Sequence, residues 1–453
     1  MESVNPANGS VVGRYPTLSS DALERKIACA EVAYSGWREI AVSSRVERFL
    51  QLAQALLANR DELAHLITEE MGKPKCEARS EIEKSARLCR YYADAGPAML
   101  EPQDVHTEAH HSYVRVDPLG PVLGIMPWNY PVWQVVRFAV PCLLTGNVVL
   151  LKHAPNVCGT SFALEQLFHQ AGLTDGMYSA LAIEVDQVES VIADPRVAGV
   201  SLTGSVGAGQ AVAAIAGRHL KPSVLELGGS DPFIVLDDAD LGAAVEAAVA
   251  SRTLNSGQSC IAAKRFIVEA SIHDTFVARM VERVEKLRVG DPQDEATNVG
   301  PLARADLIST LHFQVKSSIE QGALCMTGGA PVPRPGNFYA PTVLTQVERG
   351  MAVFDEETFG PVAAVCKAEH EAQVIELANG TLYGLGASIF GSERRAAALV
   401  DVIEAGFVTI NGFTRSDPRL PFGGVKHSGY GRELAREGAL AFSNLKTVWI
   451  QRL

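Results

Sequence analysis

No stretch of this chain offers ~18 uninterrupted apolar residues, so no membrane-spanning helix and no membrane partner are expected. The first 20 residues lack a basic segment followed by an apolar one, so no secretory leader is expected there. Positive charge is in short supply: 40 Lys and Arg against 52 Asp and Glu give a formal net charge of -12. Phosphate binding needs a basic surface, so nucleic acid is not an expected partner. Eight cysteines are scattered without CxxC and without the Cys/His spacing of a metal site. That argues against a disulfide framework and against zinc, and it suits a reducing, cytoplasmic setting. Seven of the eight read as inert core thiols.

What is present is aliphatic bulk. With 453 residues, 47% of them hydrophobic and 20% charged, the chain is a soluble globular protein too long for one core, and two or three domains are expected. Over residues 44–71, Val46, Phe49, Leu50, Ala53 and Leu57 recur at helical spacing, which predicts one amphipathic helix with Ser44 as its N-cap. From about Gly120 the pattern changes. Apolar runs of buried-strand length at 147–151, 197–202 and 233–236 alternate with helical segments such as 239–255. Alternation of this kind implies parallel sheets with helices on both faces, an α/β class. The pattern restarts with strands at 265–269, 387–390 and 407–410 and a helix at 273–287. Two successive α/β units are therefore expected, with a junction near Gly228-Gly229. Residues 106–116 and 444–450 alternate well enough to form a small separate sheet.

Five segments carry residues able to do chemistry. In Met126-Pro127-Trp128-Asn129-Tyr130-Pro131 two prolines fix a turn, and an amide held there either stabilises an oxyanion or merely satisfies its own turn. Thr203-Gly204-Ser205-Val206-Gly207-Ala208-Gly209 follows a strand and opens a helix. It is either a phosphate cradle or an ordinary strand-to-helix turn, and it lacks the GxGxxG spacing. Glu226, in Leu225-Glu226-Leu227-Gly228-Gly229, sits at an apolar strand end. Burial there raises a carboxylate toward general-base strength, unless a nearby cation pairs with it. Cys260 closes Asn255-Ser256-Gly257-Gln258-Ser259-Cys260 and is either a reachable nucleophile or a structural thiol. Glu356-Glu357-Thr358-Phe359-Gly360-Pro361 is acidic and then rigid, and read singly it is equally a solvated loop.

Taken together, these segments resemble the aldehyde dehydrogenase superfamily along nearly the whole chain. The PWN segment, Lys152, the TGS loop, the ELGG glutamate, the GQxC cysteine, the EExFGP segment and Pro421-Phe422-Gly423-Gly424 stand in family order. Cys260 follows Glu226 by 34 residues, also as in the family. The resemblance implies that Cys260 attacks the aldehyde to form a thiohemiacetal, that Asn129 and the Cys260 backbone N–H hold the oxyanion, and that hydride leaves for the nicotinamide. Glu226 then activates the water that hydrolyses the thioester. It further implies cofactor contacts at Met126, Trp128, Lys152, His153, Pro155, Asn156, Gly204, Ser205, Gly209, Leu227, Glu357 and Phe359. The fold implied is a dinucleotide-binding domain over 1–105 and 118–228, a catalytic domain over 229–430, and an oligomerisation arm over 106–117 and 431–453. A homodimer or homotetramer follows from that arm.

Within the superfamily the chain most resembles the short-chain succinate-semialdehyde dehydrogenases of bacteria. That resemblance assigns Trp133, Arg137, Ser259, Ser416 and Phe422 to the substrate pocket, with Arg137 gripping a distal carboxylate. Many such enzymes carry a second arginine where this chain has Leu254, and Ala262 stands in place of the neighbouring cysteine of redox-switched relatives. NAD-preferring members place a glutamate three residues after the ribose lysine. Here that position is Pro155, which implies a preference for NADP over NAD, with His153 and Asn156 expected to add donors to the 2′-phosphate.

Overall fold

The computed structural model describes residues 1–452. A six-stranded sheet has the spatial order Gly429–Tyr430, Ser223–Glu226, Gly199–Thr203, Pro121–Met126, Val148–His153, Tyr178–Ala180. Gly429–Tyr430 runs antiparallel and the other five are parallel. Val148–His153 is buried at every residue, as a strand covered on both faces must be. The helix Trp133–Thr145 is likewise buried along its whole length, between this sheet and the helix Lys75–Met99. It ends at Gly146, whose φ of 98° is open to glycine. Asn147 then ties the turn: its Oδ1 accepts from the Leu119 and Gly120 N–H groups and its Nδ2 donates to the Phe442 carbonyl.

The second sheet has seven strands, ordered Leu324–Thr327, Thr342–Thr345, Val362–Ala368, Arg265–Glu269, Pro232–Val235, Gly386–Phe390, Phe407–Ile410. Here the two-residue period is visible in the packing. Phe233, Val235, Phe266 and Val268 face Leu241–Thr253 and Ala270–Glu285, while Ile234 and Ile267 face Ala305–Glu320, Glu371–Asn379 and Glu393–Val400. A third sheet pairs Ser443–Ile450 antiparallel with His111–Pro118 in an eight-residue register, and Gln103–Asp104 adds its far edge. Among the described residues no helix is long and apolar enough to cross a membrane.

Several expectations need correction. Residues 44–71 do not form one helix but two, Val42–Ala58 and Arg60–Met71. Asn59 between them leaves helical geometry, and its side-chain amide donates back to the Ala55 carbonyl, competing with the backbone ladder. The first helix is capped at Ala41 rather than Ser44. Gly429–Tyr430 joins the first sheet beside Glu226 rather than the second unit, and Ala435–Leu440 packs on Trp133–Thr145 rather than on the small sheet.

Candidate active site

Segments that follow the carboxyl ends of three parallel strands open onto one cleft of about 400 Å³. It is lined by Pro127 to Asn129 after Pro121–Met126, Gly204 and Ser205 after Gly199–Thr203, and Leu227 and Gly228 after Ser223–Glu226. Ligands of open parallel sheets bind at such a crevice. Cys260, Glu357 and Phe359 reach it from the other side, from the chain of the second sheet.

The loop carrying Cys260 is strained and tightly held. Asn255, Ser256 and Gly257 follow one another in the left-handed region, with φ of 53°, 56° and 78°. For the two residues with side chains this costs about 1–3 kcal/mol each. The surroundings hold them there. Glu77 accepts the Asn255 N–H at 2.6 Å, Ser256 Oγ accepts the Gly300 N–H, and Arg252 donates to the Gly257 carbonyl. Buried Lys264 donates to the carbonyls of Ser259, Cys260 and Ala262. Burial pushes the Cys260 thiol up to about 12, against the pull of Arg137 and Lys264.

Asn129 is fixed beside this loop. Its Nδ2 donates to the Gln258 carbonyl at 3.0 Å and its Oδ1 accepts from Gln134, so one amide hydrogen remains for a ligand. Glu226 is buried, its Oε1 has no partner, and burial holds its carboxyl well above the usual range. Gly423 closes over it: a Cβ there would lie 2.7 Å from Glu226 Oε1.

Arg137 differs from expectation. It is buried and its charge is already met, because its Nε is in ion-pair contact with the carboxylate of Glu433. Nε and that oxygen touch without the alignment of a hydrogen bond. Its Nη2 lies 3.3 Å from Thr203 Oγ1, and its guanidinium sits over the Phe422 ring at 4.9 Å. An external carboxylate is therefore not needed to neutralise it, which removes the argument that its burial demands a substrate anion. Ser416 accepts from Lys84 Nζ at 2.6 Å, and the same ammonium lies 4.1 Å over the Trp133 ring. Ser259 is buried beside the Tyr130 phenol. Leu254 is half-buried at the start of the strained loop.

Of the expected cofactor contacts, Trp128, Gly204, Ser205, Leu227, Glu357 and Phe359 line the cleft together, with Phe359 edge-on to Trp128 at 5.7 Å. Ser205 caps the helix Val206–Arg218, whose N-terminal dipole favours a phosphate. Glu357 Oε1 accepts the Gly229 N–H, and a Cβ on Gly228 would strike Glu357 Oε2 at 2.5 Å. Gly228 thus lets the Glu357 carboxylate pack directly on the backbone. Lys152 is buried with its ammonium 3.3 Å from the His153 carbonyl, and Pro155 is exposed beside it. Three others belong elsewhere. His153 Nδ1 accepts the Ala154 N–H, so its Nε2–H donates to the Pro131 carbonyl, and neither nitrogen is free for a phosphate. The Asn156 amide nitrogen is buried, and the Met126 side chain lies in the core. Gly209 acts through packing, since a Cβ on it would come within 2.5 Å of Leu227 Cδ2.

A family model described as the aldehyde dehydrogenase family matches residues 1–448. The chain belongs to the aldehyde dehydrogenase family. It is 47% identical over 452 residues to the succinate semialdehyde dehydrogenase Sad of Escherichia coli (strain K12), named for NAD(P)+, covering 100% of this chain and 98% of that one. It is also 47% identical to succinate-semialdehyde dehydrogenase 1 of Mycobacterium tuberculosis (strain H37Rv), named for NADP(+), over 99% of both chains. A solved succinic semialdehyde dehydrogenase of Streptococcus pyogenes with NADP+ superposes with a TM-score of 0.97 at 36% identity over 100% of both chains. Gox0499 superposes at 0.98 with 40% identity over 99% of both.

Residues that sequence reasoning missed also border the cleft of this aldehyde dehydrogenase. Arg304, Leu307 and Thr310 line the cleft, with Arg304 over the Trp128 ring at 5.6 Å. Gln134 lines it too, three residues beyond a segment already singled out, and so does Thr203, which opens the glycine-containing loop. Glu433, Lys84 and Lys264 carry no local signal at all. They are ordinary charged residues whose meaning lies in what they meet across the fold.

Proposed function

We propose that this enzyme oxidises succinate semialdehyde to succinate, preferring NADP+ and accepting NAD+. The observation that carries the chemistry is the placement of Cys260 and Asn129 in one cleft, electrostatically close to a buried Glu226 with an unpartnered oxygen. Full-length identity to enzymes named for this substrate supports the choice of aldehyde. Domain bounds as expected above, save that Gly429–Tyr430 and Ala435–Leu440 go with the first sheet and its helix, a cytoplasmic setting for the eight free thiols, and a dimer or tetramer belong to the same reading. The small sheet supports assembly, since Leu445, Trp449 and Ile450 on Ser443–Ile450 are exposed.

Cys260 Sγ bonds to the aldehyde carbon as its thiol proton passes to the Glu226 carboxylate and on to solvent, and the carbonyl oxygen takes the negative charge. The free Asn129 amide hydrogen and the Cys260 backbone N–H receive that oxygen. A bound nicotinamide cofactor would supply the hydride acceptor through which the adduct on Cys260 becomes a thioester. Trp128, Ser205, Glu357 and Phe359 would hold that cofactor, and Lys152 would meet its ribose. Glu226, raised by burial toward the strength of a general base, takes a proton from water as the water attacks the thioester.

The deciding experiment is steady-state oxidation of succinate semialdehyde, glutarate semialdehyde and butanal, each with NADP+ and NAD+. The highest kcat/KM is expected for succinate semialdehyde with NADP+. Butanal turned over as well as succinate semialdehyde would sink the substrate reading.

A further inference from the structure

The helix Lys75–Met99 sends one cation toward the predicted substrate residues, and the reaction as derived leaves it unused. Lys84 Nζ is bonded to Ser416 Oγ at 2.6 Å and lies 4.1 Å over the Trp133 ring. Every charged group near it is otherwise engaged. Glu81, on the same helix, gives Oε1 to the Val132 and Trp133 N–H groups and Oε2 to Lys73. Asp417 is bound through both oxygens to Arg419. Arg137 and Arg87 are cations, and Arg137 is paired with Glu433. Burial and Arg137 together push the Lys84 ammonium down to about 7. A cation so placed, facing a hydroxyl, an indole face and a second cation, gains most from an anion brought from outside.

We propose that Lys84, with the Ser416 hydroxyl and Trp133 beside it, receives the distal carboxylate of the substrate and sets the preference for a carboxylate-bearing aldehyde. The proposal rests on the substrate reading above. Arg137 acts electrostatically on both this ammonium and the Cys260 thiol, so the two groups share one charged neighbourhood. The carboxylate completes a charge pair that the fold leaves open, and an uncharged chain end finds no such partner.

The test compares wild type, Lys84→Met and Lys84→Arg on succinate semialdehyde and on butanal with NADP+. Lys84→Met is expected to raise KM for succinate semialdehyde by about thirtyfold or more while leaving KM for butanal nearly unchanged. Lys84→Arg is expected to restore most of the loss. Equal changes for both substrates, or an unchanged KM for succinate semialdehyde, overturn the role of Lys84. A wild type without preference for succinate semialdehyde over butanal defeats the substrate reading instead. A second measurement needs no variant: acetic anhydride labelling of Lys84 near neutral pH, followed by mass spectrometry, is expected to be slowed by succinate and not by butyramide. Equal labelling with and without succinate overturns the proposal even if Lys84→Met does not fold.

Discussion

Arg137 and Glu433 form a buried ion pair behind the nucleophile, each side chain less than a tenth exposed. Arg137 is the foremost cation acting to lower the Cys260 thiol, and Glu433 in turn raises the carboxyl of Glu226. Arg137 also lowers the Glu226 carboxyl, more than Glu433 raises it, so the arginine of the pair favours the charged form of both reacting groups.

Arg137→Met is expected to slow alkylation of Cys260 by iodoacetamide, because the thiol loses its strongest cationic influence. Glu433→Gln is expected to speed it, since Arg137 then acts unopposed. Both variants lose stability, by about 3–5 kcal/mol for removing one partner of a buried pair. Alkylation rates at pH 8, measured on folded protein, check the two signs, and equal rates in all three proteins would contradict them.

Cys260→Ala is expected to bind NADP+ with little change while losing at least about 99% of its turnover. Among the described residues Cys260 is the cysteine that lines the cleft, so no other thiol is placed to replace it. Cofactor binding is read from fluorescence quenching and turnover from absorbance of the reduced cofactor.

Glu226→Gln is expected to form the thioester and then stall, giving a succinyl-sized adduct on Cys260 by mass spectrometry after rapid mixing. The same change carries a stability signature. Burial raises the Glu226 carboxyl in the folded chain, so the folded state binds its proton more tightly than the unfolded state. Wild-type stability then falls as pH rises above the ordinary carboxylate value, through the window up to the raised one. Glu226→Gln removes that loss. Its Tm is expected to exceed that of wild type at pH 8 by more than at pH 5, as followed by calorimetry.

Pro155→Glu is expected to shift cofactor choice toward NAD+. Pro155 is exposed beside Lys152, and a carboxylate there would repel a 2′-phosphate and accept bonds from ribose hydroxyls. The ratio of kcat/KM for NADP+ over NAD+ is expected to exceed unity in wild type and to fall about tenfold or more in the variant, a loss of ~1.4 kcal/mol. Since His153 and Asn156 are turned inward, Lys152 is left as the cation of this loop, and Lys152→Met is expected to weaken both cofactors.

Much of the fold was legible without coordinates. The strands Arg265–Glu269 and Phe407–Ile410 fall where their apolar runs place them, and the outer sheet pairs the two alternating segments expected of it. Asn129, Cys260 and Glu357 meet in one cleft although they stand far apart in the chain. The strand and helix periods are local properties of neighbouring residues, and proline and glycine mark turns by their own backbone limits. The break at Asn59 escaped because the apolar period runs on across it, while one side-chain amide decides where the backbone turns.

What only the tertiary structure decided is the pairing of charges. The sequence by itself determined that an arginine, a histidine and a serine stand at 137, 153 and 416. It did not determine that Arg137 is neutralised by Glu433, that His153 spends both nitrogens on backbone, or that Ser416 meets Lys84 from 332 residues away. Burial strengthens each of these interactions and makes an unmet charge costly, yet burial and partner both depend on which distant side chains the packed elements bring into contact.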